Sequence, residues 1–182
     1  CCLCVLVSAR AASSTLGGSS AASVVYKIQP YAFAGHFAPR LYREALRIYR
    51  DQFQPSAQLD RPYAMLTVPA VPADSDEEAH YLTTTSYQRI LALFRGQPLW
   101  MKPPVQSMAG LWNPQEEAGV KNFLGLQLLG TTESIQEQLD QLLDSVEVDE
   151  LMVTVDLHDP VKRRHALDIL AALPQFQVHR GI

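Results

Sequence analysis

Apolar, strand-like runs alternate with helix-like segments along most of this chain. Residues 31–37, 63–71 and 150–155 are continuous apolar runs. Residues 124–129 form a weaker fourth run. Strands that alternate with helices predict βαβ units and a parallel sheet, and continuous runs predict helices on both of its faces. A closed (β/α)8 barrel takes about 250 residues. The 182 residues of this chain therefore predict either a small open α/β domain or half of a barrel.

The predicted helices have recognisable first residues. Ser75 with Glu78 forms a capping-box pattern at the start of a long helix that ends near residue 96. Asn113, followed by proline, and Thr131 are expected to cap two further helices. Residues 97–112 hold prolines and tryptophans without periodicity and predict a long loop.

The helix that follows residues 31–37 is predicted to be amphipathic. Its apolar positions recur at helical spacing and are Leu41, Ala45, Leu46, Tyr49 and Phe53. The charged residues fall mostly on the opposite face, where we expect solvent, and are Arg40, Arg43, Glu44, Arg47 and Arg50.

Composition excludes several classes of protein. The chain is 47% apolar and 19% charged, which is typical of a globular protein and argues against disorder along its whole length. Its net charge of -4 argues against a nucleic-acid partner. The apolar runs are far shorter than the roughly 18 residues that cross a bilayer, so we expect no membrane association. All three cysteines lie within the first four residues, and their absence from residues 5–182 favours a cytoplasmic protein without a cysteine metal site.

The first residues differ from the rest of the chain. The sequence begins CCLCVLVSARAASS, without an initiator methionine. The apolar residues 1–7 are followed by Ala9-Arg10-Ala11, an A-x-A pattern like that of a signal-peptidase site, but no basic segment precedes them. We expect residues 1–12 to be an atypical segment outside the fold, and residues 13–182 to form one partial domain.

Seven further segments carry a family resemblance. In chain order they read YAFAGHFAP, LYREALRIYRDQFQPSAQLDRPYAML, VPADSDEEAHYL, PPV, LWNPQEEAGV, LGTTESIQEQLDQLL and VDELMVTV. As an ordered set covering roughly residues 30–172, they resemble the bacterial luciferase-like, flavin-dependent monooxygenases. The resemblance implies the C-terminal half of a (β/α)8 TIM barrel. Residues 31–37, 63–71 and 150–155 would be its sixth, seventh and eighth strands, and the first four strands would be missing.

The family also implies a chemistry. It implies an enzyme in which reduced FMN and O2 oxidise a small organic substrate, with a flavin reductase as the source of reduced FMN and with a possible homodimer or heterodimer. Since the resemblance covers only half of a barrel, we expect this chain to be a fragment that is inactive by itself. The alternative is a non-catalytic or degenerate flavin-binding or subunit module of the same family.

Two groups of residues are candidates for the implied site. Gly17, Gly18, Ser19 and Ser20 form a turn before a helix, where amides and hydroxyls suit the FMN phosphate; a flexible linker is the alternative interpretation. His36 ends a strand that the resemblance places at the C-terminal mouth of the barrel, where functional residues lie. Its imidazole would hydrogen-bond the flavin or protonate a peroxide oxygen, or would instead bond a neighbouring carbonyl group.

The acidic run after the last strand is a weaker candidate. Asp156, His158 and Asp159 suggest a metal site or an acid–base pair. The family pattern at this place resembles TSQIFDHAAR, and this chain departs from it at Asp156 and His158. We expect no metal and expect Asp159 to cap the final helix. The sequence lacks GxSxG, HExxH and Walker A motifs, so hydrolase and nucleotide-triphosphatase functions have no support.

Overall fold

The structure is a computed structural model that describes residues 29–177. The strands are β1 (Tyr31–Ala34), β2 (Ala64–Pro72), β3 (Leu128–Gly130) and β4 (Glu150–Thr154). The helices are α1 (Tyr42–Gln52), α2 (Asp76–Phe94), α3 (Pro114–Phe123), α4 (Thr132–Ser145), α5 (Pro160–Ala172) and α6 (Pro174–Gln177). In the part of the chain that the structure describes, no helix has the length and apolar character needed to cross a membrane.

Strand β2 is the centre of the sheet. It pairs in parallel with β1 through residues 64–67, with β4 through residues 65–69, and with β3 through residues 70–72. Because residues 65–67 pair with both β1 and β4, those two strands lie on opposite edges of β2. The predicted parallel α/β order, with the three strong strands side by side, is confirmed. Their closure into a barrel stays a prediction.

The main hydrophobic core surrounds β2. Leu66 and Val68 are completely buried, and the core continues through Ile135 and Leu139 of α4 and Val153 of β4. Burial of such a side chain stabilises a fold by about 1.5–3 kcal/mol relative to exposure. Burial along nearly all of β2 explains why its sequence is a continuous apolar run rather than an alternating one.

Helix α1 is amphipathic, as expected, but its buried face is turned relative to the prediction. The helix begins at Tyr42, and its buried residues are Tyr42, Leu46 and Tyr49. Leu41 precedes the helix and is exposed, so its expected place on the apolar face was wrong. Tyr42 occupies that place because it lies one turn, four residues, before Leu46.

Arg50 was also expected in solvent, and this prediction was wrong. Its side chain is only 16% exposed and lies 2.7 Å from a carboxylate oxygen of Asp149. Its Nε donates to the carbonyl oxygen of Glu147 at 3.0 Å. The arginine is buried because β4 begins directly after these acceptors and packs beside β2, which brings the end of α1 against them.

The predicted helix starts are confirmed. Ser75, Thr131 and Asp159 each accept a backbone hydrogen bond from the first turn of their helix. At Ser75 this is one half of the predicted capping box, since the Glu78 side chain pairs with Lys162. Asn113 and Glu116 form a complete capping box at the start of α3. These caps satisfy amide groups that a helix cannot pair internally, which is why the sequence signals were reliable.

A long excursion separates β2 from β3. It carries α2, a loop over residues 97–112 without a helix or strand of its own, and α3. These parts form a second hydrophobic cluster around Ile90, Leu91, Met108 and Val120. The excursion therefore has its own small core, and it provides one wall of the cavity described next.

Candidate functional site

A cavity of about 320 Å3 lies at the end of the sheet where the strands finish. His36 reaches it just after β1, and Asp156 reaches it just after β4. Arg89 reaches it from α2 in the excursion. Ligands of parallel α/β folds bind at the carboxyl ends of the strands, so this cavity is the candidate functional site.

The turn after β1 directs His36 into the cavity. The strand ends at Ala34, and the amide of Phe37 donates to the carbonyl oxygen of Ala34 at 3.0 Å, which closes a tight turn. A side chain at Gly35 would place its Cβ 2.6 Å from the carbonyl oxygen of Thr67. Only glycine permits this close approach between the turn and β2, and the next residue is His36.

The imidazole of His36 is partly removed from water. Its Nδ1 atom is buried and has no hydrogen-bond partner among residues 29–177, and its ring lies 4.1 Å from that of Phe37. Burial lowers the pKa of His36 below its ordinary value; Asp156 raises that pKa and Arg89 lowers it. The neutral imidazole is therefore favoured at neutral pH, with its Nδ1 atom unpaired among the described residues.

Arg89 and Asp156 form an ion pair at the polar end of the cavity. The guanidinium Nη2 lies 2.7 Å from Oδ2 of the carboxylate. The two side chains are 30% and 22% exposed, so solvent screens the pair only in part. They are 67 positions apart in the sequence, and only the packing of the excursion against the end of β4 brings them together.

The sequence reasoning missed Arg89, although a signal for it exists. Ser86, Arg89, Ile90 and Leu93 all line the cavity, and their spacing of three and four residues places them on one face of α2. An arginine on a helix face that it shares with Ile90 and Leu93 predicts a buried or site-directed charge.

Apolar groups form most of the remaining wall. Pro69 and Val71 of β2 contribute, together with Leu99 of the long loop and Phe123 of α3. Ligand cavities usually have volumes of about 300–1,000 Å3, so this one is at the small end of the range. It has room for a small apolar molecule or for one part of a larger ligand.

The other candidates from the sequence have different positions. Gly17, Gly18, Ser19 and Ser20 lie outside the described residues, so their proposed phosphate contact stays a prediction. Asp156 pairs with Arg89, His158 is exposed, and Asp159 caps α5. Within residues 29–177, no group of three or more potential ligands is placed to hold a metal ion.

Similar proteins were found by sequence. No protein-family model matches the chain. The Luciferase-like monooxygenase of Escherichia coli (strain K12) is 37% identical over 140 residues, which are 77% of this chain and 42% of that protein. The protein YvbT of Bacillus subtilis (strain 168) is 39% identical over 142 residues, which are 78% of this chain and 42% of that protein. The chain thus spans less than half the length of these relatives.

A solved structure shares the fold. The crystal structure of apo-MsnO8 superimposes with a TM-score of 0.64 at 24% sequence identity. The match covers 84% of this chain and 47% of that one. The arrangement of parallel strands and helices seen here is thus part of a larger fold in that protein.

Proposed function

Because this chain belongs to the luciferase-like monooxygenase family, we propose that it forms the C-terminal half of a (β/α)8 barrel in an FMN-dependent monooxygenase. In that enzyme, reduced FMN and O2 oxidise a small organic substrate. The sequence match to less than half of each relative and the parallel order of the three strong strands support the proposal.

The edges of the sheet are compatible with half a barrel. Within residues 29–177, β1 and β4 each pair with β2 on one edge. A closed barrel requires every strand to pair on both edges. In the proposed whole protein, the first four β/α units and the fifth strand pair with the outer edges of β1 and β4 and close the barrel.

The observation that carries the proposed function is the position of His36. A buried polar atom without a partner costs free energy unless a ligand satisfies it. The Nδ1 atom of His36 is such an atom, at the end of the sheet where ligands of this fold class bind. A flavin ring fits this environment, since Val71, Leu99 and Phe123 offer apolar contacts and His36 offers a polar one. In the proposed barrel the missing half lines the rest of the mouth, so this half would hold only a part of FMN.

The side chains of this half would have distinct tasks. When bound, reduced flavin supplies the electrons that activate O2. His36 would hold a proton at Nδ1 for donation, or accept one there, according to its tautomer. The apolar wall would exclude water from the reacting groups. Gly17, Gly18, Ser19 and Ser20 would contact the phosphate.

Complementation tests the proposal. The chain is mixed or fused with the first half of the Escherichia coli relative, and FMN binding is followed by the change in flavin fluorescence. We expect binding, and O2-dependent substrate oxidation with reduced FMN, for the combined halves and for neither half alone. Failure of a well-folded combination to bind flavin would refute the proposal. Binding without oxidation under a panel of substrates would favour the alternative, a degenerate flavin-binding or subunit module.

The partners belong to the same proposal. A flavin reductase would supply reduced FMN in the cytoplasm, and the complete barrel would act as a homodimer or heterodimer. The DNA upstream of Cys1 separates the two candidate functions. An in-frame first half of the barrel supports the enzyme, whereas a stop codon or an unrelated gene supports the degenerate module.

A further inference from the structure

The cavity of His36 also contains an ion pair that solvent reaches only in part. Arg89 and Asp156 line the same cavity as His36, and their charged groups are 2.7 Å apart. Partly buried ion pairs contribute little net stability, because the desolvation of the charges offsets their attraction. They do, however, determine the electric field at a third group that shares their cavity.

We propose that Arg89 and Asp156 are positioning residues for His36: they hold opposite charges beside the imidazole so that it faces little net charge. The inference rests on the proposed role of His36 in proton transfer. A neutral imidazole can exchange a proton near neutral pH, and a pair of opposite charges beside it leaves its pKa to be set mainly by burial rather than by either charge.

The charges that face His36 come from two separate elements. Arg89 lies on α2, and Asp156 follows β4. The other described elements that line the cavity add no ionisable group: β2 contributes Pro69, Ala70 and Val71, the long loop contributes Leu99, and the segment from α3 to β3 contributes Phe123, Leu124 and Gln127. Among residues 29–177, the charged groups that line the cavity with His36 are therefore one cation, Arg89, and one anion, Asp156.

The two charges act on His36 with opposite signs. The Asp156 carboxylate raises the pKa of His36, and the Arg89 guanidinium lowers it, while burial lowers it most. Removal of Arg89 takes away the charge that lowers the pKa of His36, and removal of Asp156 takes away the charge that raises it. Asp156→Asn should therefore lower the pKa of His36, and Arg89→Gln should raise it.

The test measures the His36 titration by NMR in the full chain with labelled histidine. The sequence has five histidines, and the signal of His36 is assigned as the one that His36→Gln removes. The double variant Arg89→Gln/Asp156→Asn should return the pKa of His36 close to that of the unmodified chain. Arg89→Lys, which keeps the charge, is the matched control and should change it little. In a complemented barrel, the pH profile of turnover should move in the same direction as the pKa.

The proposal is supported if the pKa of His36 changes in opposite directions in the two single variants and the changes cancel in the double variant. Displacements of the same sign, or a pKa of His36 that neither variant changes, would overturn it, because a purely structural pair has no reason to act with opposite signs. The measurement requires no flavin, so a negative result here is distinct from a failure of the chain to bind FMN.

If a variant does not fold, a second measurement on the unmodified chain tests the proposal. The resonance of a carboxylate carbon responds to a change of charge on a neighbouring group. In the unmodified chain, the carboxyl carbon resonance of Asp156 should therefore show a step at the pKa of His36. Absence of that step would equally overturn the proposal.

Discussion

Replacement of Tyr49 by phenylalanine tests how the strands are joined at the start of the sheet. Tyr49 is 1% exposed, and its ring stacks on that of Tyr31 at 5.1 Å. Its hydroxyl group is 2.8 Å from the carbonyl oxygen of Gln29 and accepts from the amide of Tyr63 at 3.1 Å. One side chain of α1 thus bonds the backbone that leads into both β1 and β2.

The cost of Tyr49→Phe follows from these contacts. The variant keeps the stacked ring and removes one donated and one accepted hydrogen bond, each worth about 1 kcal/mol net. The carbonyl oxygen of Tyr63 lies 3.2 Å from the same hydroxyl group and keeps the amide of Tyr31 as a donor at 2.9 Å. The amide of Tyr63 and the carbonyl oxygen of Gln29 each lose their bond to the hydroxyl group. We expect a loss of about 2 kcal/mol in the free energy of unfolding, or roughly 4–8 °C in Tm for a chain of this size.

Urea denaturation followed by circular dichroism measures this loss as a lower midpoint at an unchanged slope. The matched control is Tyr42→Phe on the same helix. The hydroxyl group of Tyr42 accepts from the neighbouring Arg43 at 3.0 Å and joins no strands. We expect its variant to stay within about 0.5 kcal/mol of the unmodified chain. Equal stability of the two variants would refute the reasoning.

The dependence of stability on pH in alkaline solution gives a second test of Tyr49. Burial raises the pKa of Tyr49 above its ordinary value, while the hydrogen bond to Tyr63 and the charge of Arg50 act in the opposite direction. The unfolded chain then loses the proton first. The contribution of this group is present below the ordinary tyrosine pKa of about 10 and is lost as pH rises through the higher folded value. Tyr49→Phe should therefore flatten the decline in stability above pH 10.

His36→Gln in the complemented barrel should lower turnover by about ten- to a thousandfold with FMN binding and Tm little changed, because it removes a titrating group but keeps a hydrogen-bonding one. The control is His80→Gln on the exposed side of α2, and unchanged turnover would leave His36 only a structural role. The isolated chain should bind FMN weakly or not at all, since it holds only part of the site; stoichiometric binding at low micromolar FMN in a fluorescence titration would contradict this. Acidification should weaken the start of α3, because Arg95 and the amide of Asn113 lower the pKa of Glu116 from 4.5 to about 2. The stability that the Glu116 carboxylate contributes is present above its ordinary pKa and is lost as pH falls through the pKa of the folded state. Glu116→Gln should therefore lack this loss of stability in acid, and an acid-unfolding curve that still shows it would contradict the prediction.

Local patterns account for the parts of the fold that were predicted correctly. The continuous apolar runs became β1, β2 and β4, and the caps at Ser75, Asn113, Thr131 and Asp159 begin helices where expected. These features depend on side chains within a few residues of each other, and the sequence contains that information directly. The position of His36 could be anticipated for a similar reason, since a residue that follows a parallel strand lies at the edge where all such strands end.

Contacts between distant segments were decided by the tertiary structure alone. Arg50 has the sequence context of a surface arginine, yet it is mostly buried because β4 begins beside the end of α1. Arg89 meets Asp156 only because the excursion after β2 packs against the end of β4. Periodicity predicts which face of a helix is buried, but it does not show which charge that face will meet. That depends on how the segments pack, since a pairing across 67 residues is determined by the packing of whole elements and not by any local preference.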